Sequence, residues 1–284
     1  MGKLVLLLIA TFFMPSTTMA AASDEIYQLI SFRWDSTTSK LTPYSIGSGT
    51  SVYGVGIITN RHVVFNAAED RPTDFVLLCR ASLSRNDTSK CSTPAAVTAY
   101  HEEIDVALVQ PLNGEPLYPS TAPESLKQQK GDQVRIYSFP YSSTNDSFGD
   151  QNTLNRLTSW AEKGGKLSDL GDKITITRGK ITNTYQDSFG NSAYYGSNAK
   201  GDFGSSGGGA FTNTGRYIGI PSYKDKSGNI ILIAYSEIID WVHENKNIRG
   251  NVSSDILKYY NTHMAQPKKQ LTPRYRTSAR SRMT

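Results

Sequence analysis

Short, apolar, β-rich runs separated by turn residues fill most of this chain, and that pattern constrains its fold more than any other feature. The first series of runs comprises residues 26–34, 52–59, 75–79, 95–100 and 106–109. The second series comprises residues 133–139, 174–181, 210–211, 217–220 and 230–236. Many short strands at such spacing are typical of β-barrels and β-sandwiches.

Helical spacing of apolar residues occurs near the end of the chain, at 238–244 and at 253–264, where Ser253 or Ser254 could cap the second helix. We therefore expect an all-β fold of two barrel units closed by one or two helices. The expected boundaries are residues 23–125 for the first barrel and residues 126–265 for the second barrel with its closing helices.

The first residues have the order of a cleaved secretory signal. Lys3 precedes an apolar run over residues 4–14, and small residues follow around 18–23. The run is too short to span a bilayer, so residues 1–22 are interpreted as a signal peptide instead of a membrane anchor. This interpretation predicts a secreted or periplasmic protein with no integral membrane segment after the signal is removed.

The net charge of +5 is concentrated at the C-terminus and does not indicate nucleic-acid binding. Residues 266–284 hold six basic side chains and no acidic ones, and without them and Lys3 the rest of the chain is slightly negative. This segment is also rich in Pro, Ser and Thr and cannot bury enough apolar area to order itself. We expect a basic, disordered tail and no nucleic-acid partner.

Cys79 and Cys91 are the two cysteines of the chain. In an exported protein, such a closely spaced pair predicts one disulfide across a hairpin loop. Two cysteines are too few for a zinc site, and His101, His243 and His263 show no ligand spacing that would help. The sequence therefore predicts neither a metal nor a cofactor.

Three separated segments supply a histidine, an aspartate and a serine in the order His62, Asp105, Ser206. A serine hydroxyl is a poor nucleophile at neutral pH, so it needs an imidazole to accept its proton and a carboxylate to orient that imidazole. Asp105 stands at the head of an apolar strand, where a carboxylate is costly unless it has partners. Orienting His62 would provide one, so the three residues are a candidate catalytic triad.

Residues 204–209 read GSSGGG and would form a tight turn with few side chains in the way. Nucleophilic attack on a carbonyl generates an oxyanion, which backbone amides can stabilise when they point at it. The amides of Gly204 and Ser206 are the candidate donors of this oxyanion hole. Taken alone, the segment could also be a flexible Gly/Ser loop.

These motifs resemble those of trypsin-like serine peptidases, nearer to the bacterial secreted and high-temperature-requirement group than to animal digestive enzymes. The resemblance runs from about residue 47 to residue 236 and rests on GSG at 47–49, TNRHV at 59–63, GDQV at 131–134, TRGKI at 177–181 and YIGIPSY at 217–223. It implies two six-stranded antiparallel β-barrels with substrate in the cleft between them. His62 and Asp105 would lie in the first barrel and Ser206 in the second.

The resemblance also implies an endopeptidase that cleaves protein or peptide substrates through an acyl-enzyme. No segment after residue 240 resembles a peptide-binding PDZ domain, so oligomeric behaviour is not carried over and a monomer is expected. The family commonly has Asp or Asn where Ser205 stands and Pro where Gly209 stands. Animal trypsins use that Asp to bind a newly cut N-terminus, so its absence argues against activation of this kind.

The resemblance places Ser222 near Asp105 and in the primary substrate pocket, with Tyr223 beside it. Lys200 falls where the family has the residue at the base of that pocket, and Lys224 follows the substrate-binding strand. Two ammonium groups near a closed pocket would favour a carboxylate, so the hypothesis is a preference for acidic or polar side chains. Both lysines could instead point to solvent.

Two alternatives stay open. Residues 204–208 also satisfy the Gly-x-Ser-x-Gly elbow of α/β-hydrolase esterases, with Asp240 or Asp255 and His263 in the required order. That elbow must enter a helix directly, and consecutive glycines are a poor helix start. The second alternative is a secreted, non-catalytic binding protein on the same fold, in which Gly209 leaves the oxyanion loop badly formed.

Overall fold

The computed structural model of the chain describes residues 22–80, 90–114, 117, 120–121, 127–140, 159, 172–186 and 192–265. Within these residues, twelve strands close into two six-stranded antiparallel barrels and two more form a small hairpin. This architecture confirms the predicted all-β fold. It excludes the α/β-hydrolase alternative, which needs parallel strands alternating with helices.

The first barrel is built from the first half of the chain. The strands there are β1 Ile26–Asp35, β2 Lys40–Val52, β3 Gly56–Thr59, β4 Phe65–Asn66, β5 Arg71–Pro72, β6 Phe75–Arg80, β7 Lys90–Tyr100 and β8 Ala107–Pro111. All except the β4–β5 hairpin close in the order β1-β2-β3-β8-β7-β6. Residues 52–59, predicted as one strand, are instead the end of β2, a turn and β3, because Gly54 has a φ of 71° that reverses the chain.

The second barrel follows the same plan. Its strands are β9 Gln133–Ser138, β10 Thr175–Gln186, β11 Ser192–Ser197, β12 Gly209–Thr212, β13 Tyr217–Lys224 and β14 Ile230–Ala234. They close in the order β10-β11-β14-β13-β12-β9. The pairs β1–β2 and β13–β14 contain bulges, which help to curve a sheet into a closed barrel.

Three short helices complete the described structure. They are α1 Arg61–Val64, α2 Tyr235–Asn245 and α3 Ser254–Tyr259, which continues into a π-helical turn over Tyr260–Met264. Ser253 caps α3, since its hydroxyl accepts from the amide of Ile256 at 3.4 Å. Ile256 and Tyr260 of this segment pack against the first barrel, so the last described segment returns from the second barrel to the first.

Cys79 and Cys91 form the predicted disulfide, which joins β6 to β7 inside the first barrel. Both cysteines are buried and pack with Phe32 and Phe75. None of the helices in the described ranges is long and apolar enough to span a membrane. The predicted signal peptide and the basic tail fall almost entirely outside the described residues.

Glu25 is a buried carboxyl at the point where a 3-10 turn, Ala22–Glu25, enters β1. Burial raises the pKa of this carboxyl from its ordinary 4.5 to about 7, although a hydrogen bond from Thr121 lowers it. Between these two values the folded protein binds more protons than the unfolded chain. The free energy of unfolding therefore falls as the pH rises from 4.5 to about 7, and above this range the whole decrease is present.

Glu25→Gln should remove this penalty without changing the shape of the side chain. We expect the variant to match the wild type at pH 4.5 and to be more stable by about 2 kcal/mol at pH 8. Urea unfolding at both pH values measures the difference. Glu244→Gln, at an exposed position of α2, serves as the control, and an equal effect of Glu25→Gln at both pH values would contradict the assignment.

Candidate active site

His62 lies on α1, the single helical turn that follows β3. Asn60 precedes this turn, and its amide group donates to the main-chain carbonyl of Asp105 at 2.7 Å. The sequence places His62 at the end of a strand, and the structure adds the helical turn that directs its ring toward the cleft between the barrels. The histidine position is thus fixed by β3 on one side and by the Asp105 loop on the other.

The Asp105 carboxylate, in the loop before β8, accepts three hydrogen bonds. The His62 amide donates to Oδ1 at 3.0 Å, while His62 Nδ1 and the Ser222 hydroxyl donate to Oδ2 at 2.8 Å and 2.7 Å. Because an ionised carboxylate can only accept, the proton of a neutral His62 sits on Nδ1 and leaves Nε2 as the acceptor. Burial alone raises the pKa of the Asp105 carboxyl, but His62 and Ser222 outweigh it and hold that pKa below its ordinary value.

Ser206 lies in a segment that we call the serine loop, residues 202–208, which consists of two successive turns. The Ser205 amide donates to Asp202 at 2.9 Å, and the Gly208 amide donates to Ser205 at 3.1 Å. Gly204 and Gly207 occupy the third position of each turn with φ near +80°, a conformation that favours glycine. The glycines are therefore required by the backbone, which argues against a merely flexible loop.

The serine loop is tied to the first barrel by Ser48, a fully buried residue of β2. The Ser48 amide donates to the carbonyl of Ser206 at 2.8 Å, and the Ser48 hydroxyl donates to the carbonyl of Gly204 at 2.7 Å. The same hydroxyl accepts from the amide of Phe139 at 2.8 Å. One residue of the first barrel thus fixes the two carbonyls that flank Ser205.

Ser205, where the sequence resemblance leads one to expect Asp or Asn, makes neutral hydrogen bonds. Its side chain is buried and accepts from the amide of Asp202 at 3.1 Å. Its hydroxyl also lies 3.2 Å from the hydroxyl of Ser138, at the end of β9. The Ser205 hydroxyl therefore anchors the serine loop to Asp202 and Ser138 through neutral hydrogen bonds.

The amides of Gly204 and Ser206, the candidate donors of the oxyanion hole, have no acceptor among the described residues. By contrast, the amides of Ser205, Gly207 and Gly208 all donate to carbonyls. The Ser206 hydroxyl donates to the carbonyl of Ser222 at 3.2 Å rather than to His62. Within the described residues, the two amides thus remain available to an incoming group with an electron-rich oxygen, while the hydroxyl is held by Ser222.

His62 and Ser206 line the same cleft between the barrels, which has a volume of about 520 Å³. The first barrel contributes residues 45–46 and 62–63, and the second contributes residues 202–206, 221–224 and Ile230. Ser222, Tyr223 and Lys224 are therefore part of the cleft. Lys200 is exposed and lies outside this lining, so the structure does not bring it together with the other candidate residues.

Three residues that shape the site are not predicted from the sequence. Ser48 stands in a recognised GSG motif, which was a signal, but its contacts with Gly204 and Ser206 depend on the folded chain. Ser138 and Ile230 lie in apolar strands, and no local pattern distinguishes them from other strand residues.

Comparisons with known proteins agree with this geometry. A family model described as "Trypsin-like peptidase domain" matches residues 47–220. Among solved structures, the active form of the Rv3671c protease from M. tuberculosis is similar, with a TM-score of 0.54 and 16% sequence identity over 82% of this chain and 86% of that one. At this identity the likeness shows a shared fold. No curated protein matches. Because the family model covers more than half of the chain, this protein belongs to the trypsin-like peptidase family.

Proposed function

We propose that this protein is a serine endopeptidase, with His62, Asp105 and Ser206 as its catalytic triad. The observation that carries the proposal is the convergence of His62 and Ser206, from different barrels, on one cleft in which Asp105 already orients the imidazole. Family membership supports a peptidase. The serine-type mechanism and the roles of the individual residues are our inference from the contacts in the site.

In acylation, the Ser206 hydroxyl turns from the Ser222 carbonyl toward His62, and catalytic hydrogen bonds of this kind often tighten only when substrate is bound. His62 Nε2 accepts the hydroxyl proton while Oγ attacks the carbonyl carbon of the scissile bond. The negative oxygen of the tetrahedral intermediate accepts hydrogen bonds from the Gly204 and Ser206 amides. Asp105 holds the proton-bearing Nδ1 and offsets the charge of the imidazolium.

The tetrahedral intermediate collapses when His62 gives its proton to the leaving amine, which breaks the C–N bond and leaves an ester on Ser206. A water molecule then attacks this ester with His62 again as the base. The second tetrahedral intermediate uses the same two amides. Its collapse releases the carboxylic acid product and returns the proton to Ser206, so the enzyme is regenerated without a cofactor.

An extended peptide can bind along β13. This strand pairs with β14 as far as Lys224, but within the described residues its pairing with β12 ends at Gly219. Residues 222–224 therefore present an open strand edge to the cleft, and a substrate chain can add to such an edge through main-chain hydrogen bonds. Because this mode of binding does not require a chain end, it favours an endopeptidase acting on protein or peptide substrates.

We also propose that the enzyme acts outside the cytoplasm. The N-terminal residues are consistent with a secretory signal, and the Cys79–Cys91 disulfide favours an oxidising compartment. A monomeric state and the lack of a nucleic-acid partner stay predictions.

The non-catalytic alternative depends on Gly209 disturbing the oxyanion loop, and the local contacts speak against it. Gly209 is the first residue of β12 and pairs with Tyr137 of β9. Both turns of the preceding serine loop keep their hydrogen bonds. Steric crowding also favours glycine at this position, because a Cβ atom added to residue 209 would lie 2.3 Å from the ring of Phe211.

A fluorophosphonate probe tests the proposed function directly, because it reacts with serines that are activated by a neighbouring base. We expect one label on the wild type, located at Ser206 by peptide mapping. Ser206→Ala and His62→Ala should lose the label while their melting temperatures stay near that of the wild type. Ser227→Ala, in a surface turn between β13 and β14, is the control that keeps labelling, and an unlabelled, folded wild type would favour the non-catalytic alternative.

Ser205→Asp tests whether the serine loop is held by neutral hydrogen bonds. The substitution restores the residue type common in the family, but the described partners of this position, the Ser138 hydroxyl and the Asp202 amide, do not include a cation. We expect a loss of about 2 kcal/mol in stability and slower labelling of Ser206, since an unpaired buried carboxylate is costly.

The loss in Ser205→Asp should be larger at pH 8 than at pH 5, because a buried carboxyl without a cationic partner is tolerated best when protonated. Thermal melts at the two pH values measure it, with Ser205→Ala as the uncharged control. An aspartate variant as stable and as reactive as the wild type would show that a cation, such as a released N-terminus, reaches this position.

A further inference from the structure

We infer that the pocket for the substrate side chain preceding the scissile bond is shallow and apolar, so that the enzyme cleaves after small aliphatic residues. Ile230 is the residue that sets this limit. The inference rests on the proposed function, because it takes Ser206 as the nucleophile. It goes beyond that function by naming the substrate class and the residue that selects it.

The position of this pocket follows from the geometry of attack. When the carbonyl carbon lies at Ser206 Oγ and its oxygen lies at the Gly204 and Ser206 amides, the attached side chain must leave the reaction centre on the second-barrel side. There the cleft has two walls, the serine loop and residues 222–224 of β13. The side chain therefore enters between these walls, toward the start of β14.

We place Ile230 at the floor of the space between the two walls, because it lines the cleft with them and its side chain lies against Gly201. It is the first residue of β14, is 5% exposed and belongs to the lining of the cleft. Its side chain reaches across to Gly201, so that a Cβ atom placed on Gly201 would lie only 2.4 Å from Ile230 Cδ1. No room is left between the two residues, and a long side chain cannot extend past them.

The walls above this floor are largely apolar. Pro221 is buried and lines the cleft. Phe203 and Tyr223 also line it and are 48% and 58% exposed, although large apolar side chains are normally covered. Apart from His62, the charged side chains of the described lining are Asp202 and Lys224, which are both exposed and opposite in sign. The rim therefore carries little net charge.

The apolar floor and walls disfavour the hypothesis, made from the sequence, that the pocket prefers acidic substrate side chains. Lys200, the expected base of the pocket, lies outside the lining, and an apolar isoleucine stands at the floor. A glutamate that entered would place its carboxylate against Ile230 with no buried cation as partner, which is costly. Lysine, arginine and phenylalanine are too long for the closed floor, so alanine and valine fit best.

Mapping of cleavage sites tests the inference. The full-length enzyme is incubated with a denatured protein mixture, and mass spectrometry identifies the residue before each cut bond. Synthetic peptides that carry Ala, Val, Phe, Glu or Lys at that position then give kcat/KM. We expect Ala and Val to exceed Phe, Glu and Lys by at least tenfold, about the discrimination that a hydrophobic pocket achieves per methylene.

Ile230→Ala should open the floor and raise kcat/KM for Phe relative to Ala by roughly tenfold to a hundredfold. Since Ile230 is also packed in the second barrel, Ile230→Val provides a milder variant that should shift the ratio in the same direction. Lys200→Ala is the matched control and should leave the ranking unchanged. Loss of cleavage after glutamate in Lys200→Ala would instead support the acidic pocket.

Fluorophosphonate labelling of each variant distinguishes an error in the assigned pocket from an error in the proposed serine mechanism. A labelled enzyme that cleaves best after Glu, Lys or Phe overturns the inference about the pocket and leaves the serine mechanism in place. A labelled Ile230→Ala or Ile230→Val enzyme with unchanged preference also overturns it. A folded protein that is not labelled at Ser206 overturns the proposed function itself, and a labelled protein that cuts no peptide bond overturns the assignment as an endopeptidase.

Discussion

The buried contact between Ser48 and the serine loop is the constraint on which the site depends. His62 and Asp105 belong to the first barrel and Ser206 to the second, so the proposed chemistry requires that the two barrels keep one relative position. Ser48 meets this requirement because its amide and hydroxyl donate to Ser206 and Gly204. In a buried setting, losing such a partner leaves a carbonyl unsatisfied, which makes the contact costly to break.

A second contact crosses the barrels at the carboxylate of Asp105, which accepts from His62 on its own barrel and from Ser222 on the other. The side chain that orients the imidazole is therefore also fixed to the strand edge where substrate can bind. Ser205 and Ser138 add a neutral anchor beneath the serine loop. Within the described residues, these contacts hold the serine loop with neutral hydrogen bonds at Ser205.

Local pattern predicted the barrels, the disulfide and the candidate triad, because strand periodicity, cysteine spacing and short motifs are properties of neighbouring residues. It missed residues 40–51 of β2, where Pro43, Gly47 and Gly49 interrupt the β-rich pattern, and it joined only Val52 of that strand to β3 across the Gly54 turn. It also missed β11, a six-residue strand that contains Gly196. Ser48 and Ile230 were not assigned roles because their contacts join residues far apart in the chain. Contacts between residues that are far apart in the chain produce no periodic pattern in the sequence, so they cannot be predicted from it in this way.

The structure of the enzyme after reaction with a fluorophosphonate would test the central claim most directly. The account predicts phosphorus bonded to Ser206 Oγ, with the phosphoryl oxygen accepting from the amides of Gly204 and Ser206. His62 Nδ1 should stay on Asp105, and the Ser48 hydroxyl should still donate to Gly204. An adduct whose phosphoryl oxygen points away from these amides, or a serine loop released from Ser48, would contradict the account.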